Sequence, residues 1–238
     1  MKTKTLGVLG GVGPLASVRF AEMMINMTKA ETDQEHIPLF MFNDNTIPDR
    51  TSYILGKSDI DPAPKLTDGI NRLAGLGCDY IVITCNTAHY FYDELQASTS
   101  VTIVNMIEEA VNAALAKKPN LKKIGVLATD GTVQSGVYGK VIEKHGFSCA
   151  YPSENSQKTI MDIIYRQVKA GKDVDVHGFL KIIDELRHDG CDVIILGCTE
   201  LSVINSDNNL TLHSGDIVDA MEALAEKCIT LCGKEVKK

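Results

Sequence analysis

Apolar residues along this chain fall into short continuous runs that alternate with stretches where they recur every three or four positions. Residues 5–9, 36–43, 79–84, 101–105, 123–127 and 192–196 have the length and composition of buried strands. Residues 15–27, 66–75, 88–96, 106–117, 133–145, 154–170, 173–188 and 216–231 have helical spacing. A short strand is expected near Phe147, a turn over 197–201, and a break in the pattern at Lys117-Lys118-Pro119. Strand–helix alternation predicts an α/β fold with parallel sheets, because parallel neighbours need a crossover that a helix supplies. One segment, 44–65, carries Pro48, Pro62 and Pro64 with little periodicity. Long irregular chain inside a compact unit is usually a lid or binding loop, and Arg50 sits in it.

Part of the pattern occurs twice. Gly77-Cys78-Asp79-Tyr80-Ile81-Val82-Ile83-Thr84-Cys85 aligns with Gly190-Cys191-Asp192-Val193-Ile194-Ile195-Leu196-Gly197-Cys198, and Leu6-Gly7-Val8-Leu9 with Ile124-Gly125-Val126-Leu127. The repeat predicts two pseudo-symmetric lobes, each a small, mostly parallel sheet flanked by helices. Lobe 1 is expected over 1–113 and lobe 2 over 114–213, with a C-terminal helix in 214–238 packing back on lobe 1. Ligands of such sheets bind at the carboxyl ends of the strands, so the site is expected in the interlobe cleft with Cys85 opposite Cys198. A sulfur at a strand end, just before a helix, lies where amide N–H groups converge, which lowers a thiol pKa. Cys78 and Cys191 repeat because the unit repeats and read as packing.

Two thiols on opposite sides of one ligand suit inversion of a carbon stereocentre. One takes a proton from one face and the other returns a proton to the opposite face. This chemistry requires no pyridoxal or other cofactor. The first glycine turn, Gly10-Gly11-Val12-Gly13, resembles a dinucleotide fingerprint only weakly and is a generic anion site.

Composition narrows the field. The formal charge of −7 and the lack of a basic tract beyond Lys234–Lys238 argue against nucleic acid. They also make each cation near the cleft informative for an anionic substrate. No apolar run approaches membrane-spanning length and no secretory apolar region is evident, so no membrane association and a cytoplasmic location are expected. The 7 cysteines are odd in number with no CxxC pair, which supports neither a disulfide framework nor a metal site. Cys228 and Cys232, one helical turn apart, read as core.

Six motifs carry a family resemblance: Leu9-Gly10-Gly11-Val12-Gly13-Pro14, Ile47-Pro48-Asp49-Arg50-Thr51, Cys85-Asn86-Thr87-Ala88-His89, Leu127-Ala128-Thr129 with Gly131-Thr132, Ile164-Tyr165 with Val168-Lys169 and Gly171, and Gly197-Cys198-Thr199-Glu200. Together they span nearly the whole chain and resemble the cofactor-independent aspartate/glutamate racemase superfamily, on its aspartate side. The resemblance implies a homodimer of two-lobed subunits that interconverts L- and D-aspartate with Cys85 and Cys198 as the two bases. It implies Arg50 and Lys169 on the side-chain carboxylate and Asn86, Thr87 and Thr199 on the amino-acid head. Val12, Thr129, Thr132 and Glu200 join the candidate substrate ligands from the matched motifs. Val12 stands where the family commonly has methionine. Cys85 is present where L-specific or broader members have threonine. Gly10-Gly11 and Glu200 replace the Asp-Ser and His of cell-wall glutamate racemases. The alternatives are a racemase or isomerase of glutamate or another dicarboxylate, a non-catalytic amino-acid-binding homologue, and a redox dithiol, which would need the two sulfurs within bonding reach.

Overall fold

The computed structural model describes residues 4–118 and 120–237; Met1–Thr3, the expected break at Pro119, and Lys238 of the lysine tail lie outside it. The first half runs β1 (Leu6–Gly10), α1 (Pro14–Met27), a 3₁₀ turn (Asp33–Glu35), β2 (Leu39–Asn43), α2 (Arg50–Ile54), α3 (Ala63–Gly75), β3 (Tyr80–Ile83), a second 3₁₀ turn (Thr87–Phe91), α4 (Tyr92–Ala97), β4 (Thr102–Ile103) and α5 (Met106–Lys117). The second half runs β5 (Lys123–Leu127), α6 (Asp130–Ser135), α7 (Val137–Lys144), β6 (Ser148–Ala150), α8 (Glu154–Asp162), a π-helical turn (Ile163–Val168), α9 (Val176–His188), β7 (Val193–Leu196), α10 (Thr199–Asn208), α11 (Leu210–His213), β8 (Ile217–Asp219) and α12 (Ala220–Leu231).

The strands form two four-stranded sheets, β2-β1-β3-β4 and β6-β5-β7-β8, parallel at every described pairing. The order is the same in both, so the α/β fold of two pseudo-symmetric lobes stands. Alternation along the central strands divides the core. Leu6, Val8 and Val82 of one sheet and Ile124, Val126, Val193 and Ile195 of the other belong to one cluster. Phe20 of α1, Val111 of α5, Tyr138 of α7 and Leu224 of α12 fill the layer between them. The outer faces bury separately, Leu9 and Ile83 under Ile70 and Leu73 of α3, and Ile194 and Leu196 under Phe179 and Ile183 of α9. The repeated Gly–Cys pairs have a packing reason. A Cβ on Gly7 would meet Cys78 Sγ at 2.9 Å, and one on Gly125 would meet Cys191 Sγ at 3.2 Å.

Several boundaries differ from the sequence pattern. The segment 44–65 contains a short helix, α2, started by Asp49, whose Oδ1 accepts the Ser52 N–H at 2.7 Å. The stretch 133–145 is two helices broken at Gly136, which adopts φ 66°. The expected turn at 197–201 instead opens α10, a helix buried on every side over Thr199–Asn205, which erases the amphipathic signature. The last helix starts later than residue 216: Ile217 and Val218 are β-branched, pair with β7 as β8, and complete the second sheet. The stretch 214–238 therefore divides. Its strand belongs to the second sheet, while α12 packs on α5 and α1 and Val236 bridges to Thr28.

A buried polar network anchors α10. Asp219 accepts Ser202 Oγ at 2.6 Å and Asn205 Nδ2 at 2.8 Å, and its Oδ1 also caps α12 through the Met221 N–H. Asn205 Nδ2 and Thr211 Oγ1 both donate to Glu222 Oε1. Burial, and then the charge of Asp219, pushes the Glu222 carboxyl from 4.5 up to about 7; burial raises Asp219 too. The folded protein keeps a proton that the unfolded chain releases, so stability falls as pH rises from about 4.5 to about 7. Urea titrations on either side of that window should show the fall in the native chain and a smaller fall in Glu222→Gln, where only the Asp219 carboxyl remains raised.

Candidate active site

The carboxyl ends of the four central strands converge on one side of the molecule. After β1 comes Val12; after β3 come Cys85, Asn86 and Thr87; after β5 come Thr129 and Thr132; after β7 come Cys198, Thr199 and Glu200. Arg50 and Lys169 follow β2 and β6, which occupy equivalent edges of the two sheets. A cavity of about 470 Å³ opens here, lined by the glycine turn from Gly11 to Ala16, Ile47, Asp49, Arg50, Tyr165, Lys169, Glu200 and apolar Val168 and Val203. Neither cysteine belongs to its lining, and both are buried at 5–6% exposure. Cys198 Sγ lies against the wall residue Glu200, and Cys85 is near enough to Arg50 to help raise its pKa.

The second sulfur has a defined partner. Cys198 Sγ donates to Glu200 Oε2 at 3.0 Å, and Lys169 Nζ holds Glu200 Oε1 at 3.0 Å. Gly13 permits this carboxylate to approach the turn, since a Cβ there would stand 2.6 Å from Oε1. Cys198 caps α10, yet its thiol is pushed well above the ordinary range, contrary to the sequence expectation. Burial and the Glu200 charge outweigh the Lys169 ammonium and the helix-terminal Glu200 N–H, which pull the other way. Lys169 itself is raised: burial opposes its charge, but Glu200, then Cys198, then Cys85 outweigh burial. The π-helical turn delivers this lysine, with its N–H bonded five residues back to Ile164 O at 3.0 Å.

Arg50 is fixed by the backbone. Its terminal nitrogens donate to Pro48 O and Val12 O, both at 3.0 Å, while its buried Nε has no hydrogen-bond partner among the described residues. Burial opposes its charge, and Cys85 and then Asp49 more than compensate, raising its pKa. Asp49 also accepts Tyr165 Oη at 3.1 Å, which ties the arginine segment to the opposite lobe.

Thr87, Thr129 and Thr132 form a closed ring of hydroxyls at 2.9–3.1 Å, and Thr51 Oγ1 reaches Thr129 Oγ1 at 3.3 Å. Gly131 makes room for that approach, because a Cβ would sit 2.8 Å from Thr51 Cα. Asn86 is 2% exposed; its Oδ1 accepts Tyr138 Oη at 2.6 Å, while its Nδ2 is buried with no hydrogen-bond partner among the described residues. An unpaired buried donor is costly. Among the described residues Thr199 Oγ1 reaches Glu200 Oε2, at 3.4 Å.

Four side chains here make contacts that the sequence pattern does not assign. Tyr138 lies on the apolar face of α7 and carries no signal beyond core packing. His89 ends the Cys85-Asn86-Thr87-Ala88-His89 motif, which by itself gives it no role. Its Nε2 accepts the Met106 N–H at 3.1 Å, so Nδ1 donates to Cys85 O at 2.9 Å. Burial lowers the imidazole to about 4, so it is a neutral brace for the Cys85 backbone. Tyr165 stood in a motif, and Asp49 was legible as a helix cap from Asp49-Arg50-Thr51-Ser52.

A family model described as Asp/Glu/Hydantoin racemase matches residues 9–228. The chain belongs to that family. Among solved structures, Picrophilus torridus aspartate racemase superposes with a TM-score of 0.83 at 32% identity, covering 99% of this chain and 96% of that one. The broad specificity amino-acid racemase RacX of Bacillus subtilis is 25% identical over 231 residues, 94% of this chain and 96% of its own length. Glutamate racemase of Aquifex pyrophilus is 34% identical over 156 residues, 63% of this chain and 57% of that protein. No described helix is long and apolar enough to cross a membrane.

Tyr138→Phe removes the hydroxyl that donates to Asn86 Oδ1 and leaves a buried acceptor short of its partner. Chemical denaturation should show a loss of about 1–3 kcal/mol with no change in m-value.

Proposed function

We propose that the protein is a cofactor-independent racemase of aspartate that moves the α-proton between Cys85 and Cys198. The observation that supports this most is the pairing of two free, buried cysteines at equivalent strand ends with two cations beside one cavity. In the proposed reaction one sulfur, as thiolate, takes the α-proton, and the other, as thiol, protonates the opposite face of the carbanion. Arg50 and Lys169 hold the side-chain carboxylate. Asn86 Nδ2, Thr87 and Thr199 hold the amino-acid head, where hydrogen bonds to the α-carboxylate stabilise the negative charge that develops as the proton leaves. Burial of both sulfurs excludes water from the proton path. The likeness to the Picrophilus aspartate racemase supports this substrate. The protein is proposed to act in the cytoplasm as a homodimer.

A second reading has its own support. The cavity wall beyond the cations is apolar at Val168 and Val203, and RacX, which covers almost the whole chain, is a broad specificity amino-acid racemase. On that reading the enzyme also accepts amino acids without a second carboxylate.

Incubation in deuterium oxide separates these. Aspartate should gain deuterium at Cα and racemise, with glutamate and uncharged amino acids slower. Comparable exchange across the panel would favour broad specificity, and no exchange with any amino acid would sink the racemase reading. Cys85→Ser and Cys198→Ser should each lower kcat by about 10²–10⁴-fold, the usual worth of a positioned acid or base. Retention of full activity in either variant would rule out the two-base scheme. Arg50→Lys should raise KM for aspartate about tenfold or more while leaving uncharged substrates little changed, since lysine cannot reproduce the forked donor geometry.

A further inference from the structure

The chain turns sharply into Cys85. The Cys85 N–H bonds to Ile83 O two residues back, at 2.8 Å, so Thr84 is the centre of a tight three-residue turn. Thr84 is fully buried, and so is the side chain it meets, Ser17 of α1. Their hydroxyl oxygens lie 2.8 Å apart. Ser17 Oγ donates to Gly13 O at 2.9 Å, and the Gly11 N–H donates to Ser17 Oγ at 3.3 Å. A hydroxyl has one proton and two acceptor lone pairs, so the remaining place on Ser17 takes a donor, and Thr84 supplies it. Distance agrees: the other acceptor in reach of Thr84 Oγ1, Leu9 O, lies at 3.3 Å and already takes the Thr84 N–H at 3.1 Å. Gly10 admits Ser17 to this corner, because a Cβ there would stand 2.6 Å from Ser17 Oγ.

The hydroxyl pair ties the Cys85 turn to the glycine turn, and the glycine turn backs the charged wall of the cavity. Val12 O accepts Arg50 Nη2 at 3.0 Å, and Gly13 lies against Glu200, the partner of Lys169. The repeat supplies a contrast within the molecule. Gly197 stands where Thr84 stands and makes the equivalent backbone bond, to Leu127 O at 2.7 Å. It has no side chain to engage, and a Cβ there would meet Tyr138 Cε2 at 2.9 Å. One half fills this corner with a ring, the other with a hydroxyl bond.

We propose that Ser17 and Thr84 are positioning residues that set Cys85 at its working distance from the substrate anchors, Arg50 above all. This rests on the racemase reading above and adds to it two residues that touch no substrate, since neither has exposed surface. Proton transfer needs base and Cα in close register, and a displacement of about 1 Å costs on the order of 10²-fold in rate. The tie also has an order. Thr84 reaches the glycine turn through Ser17, whereas Ser17 keeps its Gly11 and Gly13 bonds when Thr84 is altered.

Thr84→Val keeps the shape and deletes the donor, so kcat for aspartate should fall about 10–10²-fold. Its KM should stay within about twofold of native, because the anchors are undisturbed. Thr84→Ser keeps the donor and should recover kcat to within about threefold of native. Ser17→Ala releases the glycine turn as well, so it should lower kcat by a similar factor and also raise KM. The double variant should be no slower than Ser17→Ala, because the two hydroxyls act as one unit. Chemical denaturation of each variant gives the folded fraction to which kcat is referred.

A merely structural pair would lower stability and leave kcat per folded molecule and KM unmoved. A folded Thr84→Val protein with kcat within about twofold of native would overturn the proposal, as would a serine variant no faster than the valine one. Losses that multiply in the double variant would overturn it too. If Thr84→Val does not fold, Ser17→Ala carries the same test, and native kcat and KM in that variant would be fatal. Absence of racemisation and of deuterium exchange by the native protein with any amino acid would instead overturn the racemase reading beneath it.

Discussion

The two sheets bury their inner faces against one common layer of α1, α5, α7 and α12, and the position of every candidate site residue follows from that shared burial. Apolar area removed from water is the main favourable contribution to folding, and here one continuous cluster serves both halves. Because all strands run parallel, each ends on the same side, and the layer fixes how the two sets of ends face one another. The polar ties across the cleft are weaker: a threonine hydroxyl ring, Tyr138 to Asn86, and Tyr165 to Asp49. Bonds of this kind contribute on the order of 1 kcal/mol each, enough to orient side chains but not to hold two lobes together. Packing sets the distance across the cleft, and hydrogen bonds set the directions within it.

How much was legible depended on whether one chain segment saw one environment. Residues 106–117 and 123–127 were read with their observed ends. Asn105 caps α5 through the Ile107 and Glu108 N–H groups, and β5 is a buried apolar run. The repeat gave the two lobes and put Cys85 and Cys198 at equivalent strand ends. What stayed hidden was decided by contacts distant in sequence. Helix α10 is buried all round, so it has no polar face to betray a period. Strand β8 is three residues long and runs straight into α12. The π-helical turn before Lys169 leaves no mark on a helical pattern, although it sets where the lysine points. The partners of the site residues were equally unreadable. Tyr138 looks like core from its sequence neighbours and is core, apart from one hydroxyl that meets Asn86 across fifty-two positions.

Duplication explains the frame and then stops explaining. The Gly7–Cys78 and Gly125–Cys191 contacts appear in both halves because the same close approach of helix-end loop and central strand must be accommodated twice. The polar residues at the strand ends do not repeat. One half offers Arg50, held by two backbone carbonyls; the other offers Lys169, held by a carboxylate. After Cys85 comes His89, a neutral brace on its carbonyl, whereas after Cys198 comes Glu200, a charge on the sulfur itself.

That divergence has a chemical logic under the proposed reaction. A catalyst for mirror-image substrates gains from a frame that is nearly two-fold, because the ligand must be approached from opposite faces. Yet its two bases can never be in the same state at once: one must hold a proton while the other lacks it. Two thiolates facing each other would repel, and two thiols would have no base between them. Identical environments would leave the choice to small fluctuations and populate both unproductive states. Within a symmetric packing frame a carboxylate lies against the Cys198 sulfur, while Lys169 senses both sulfurs. On this view the broken symmetry at the strand ends is what lets a symmetric frame carry out proton transfer in both directions.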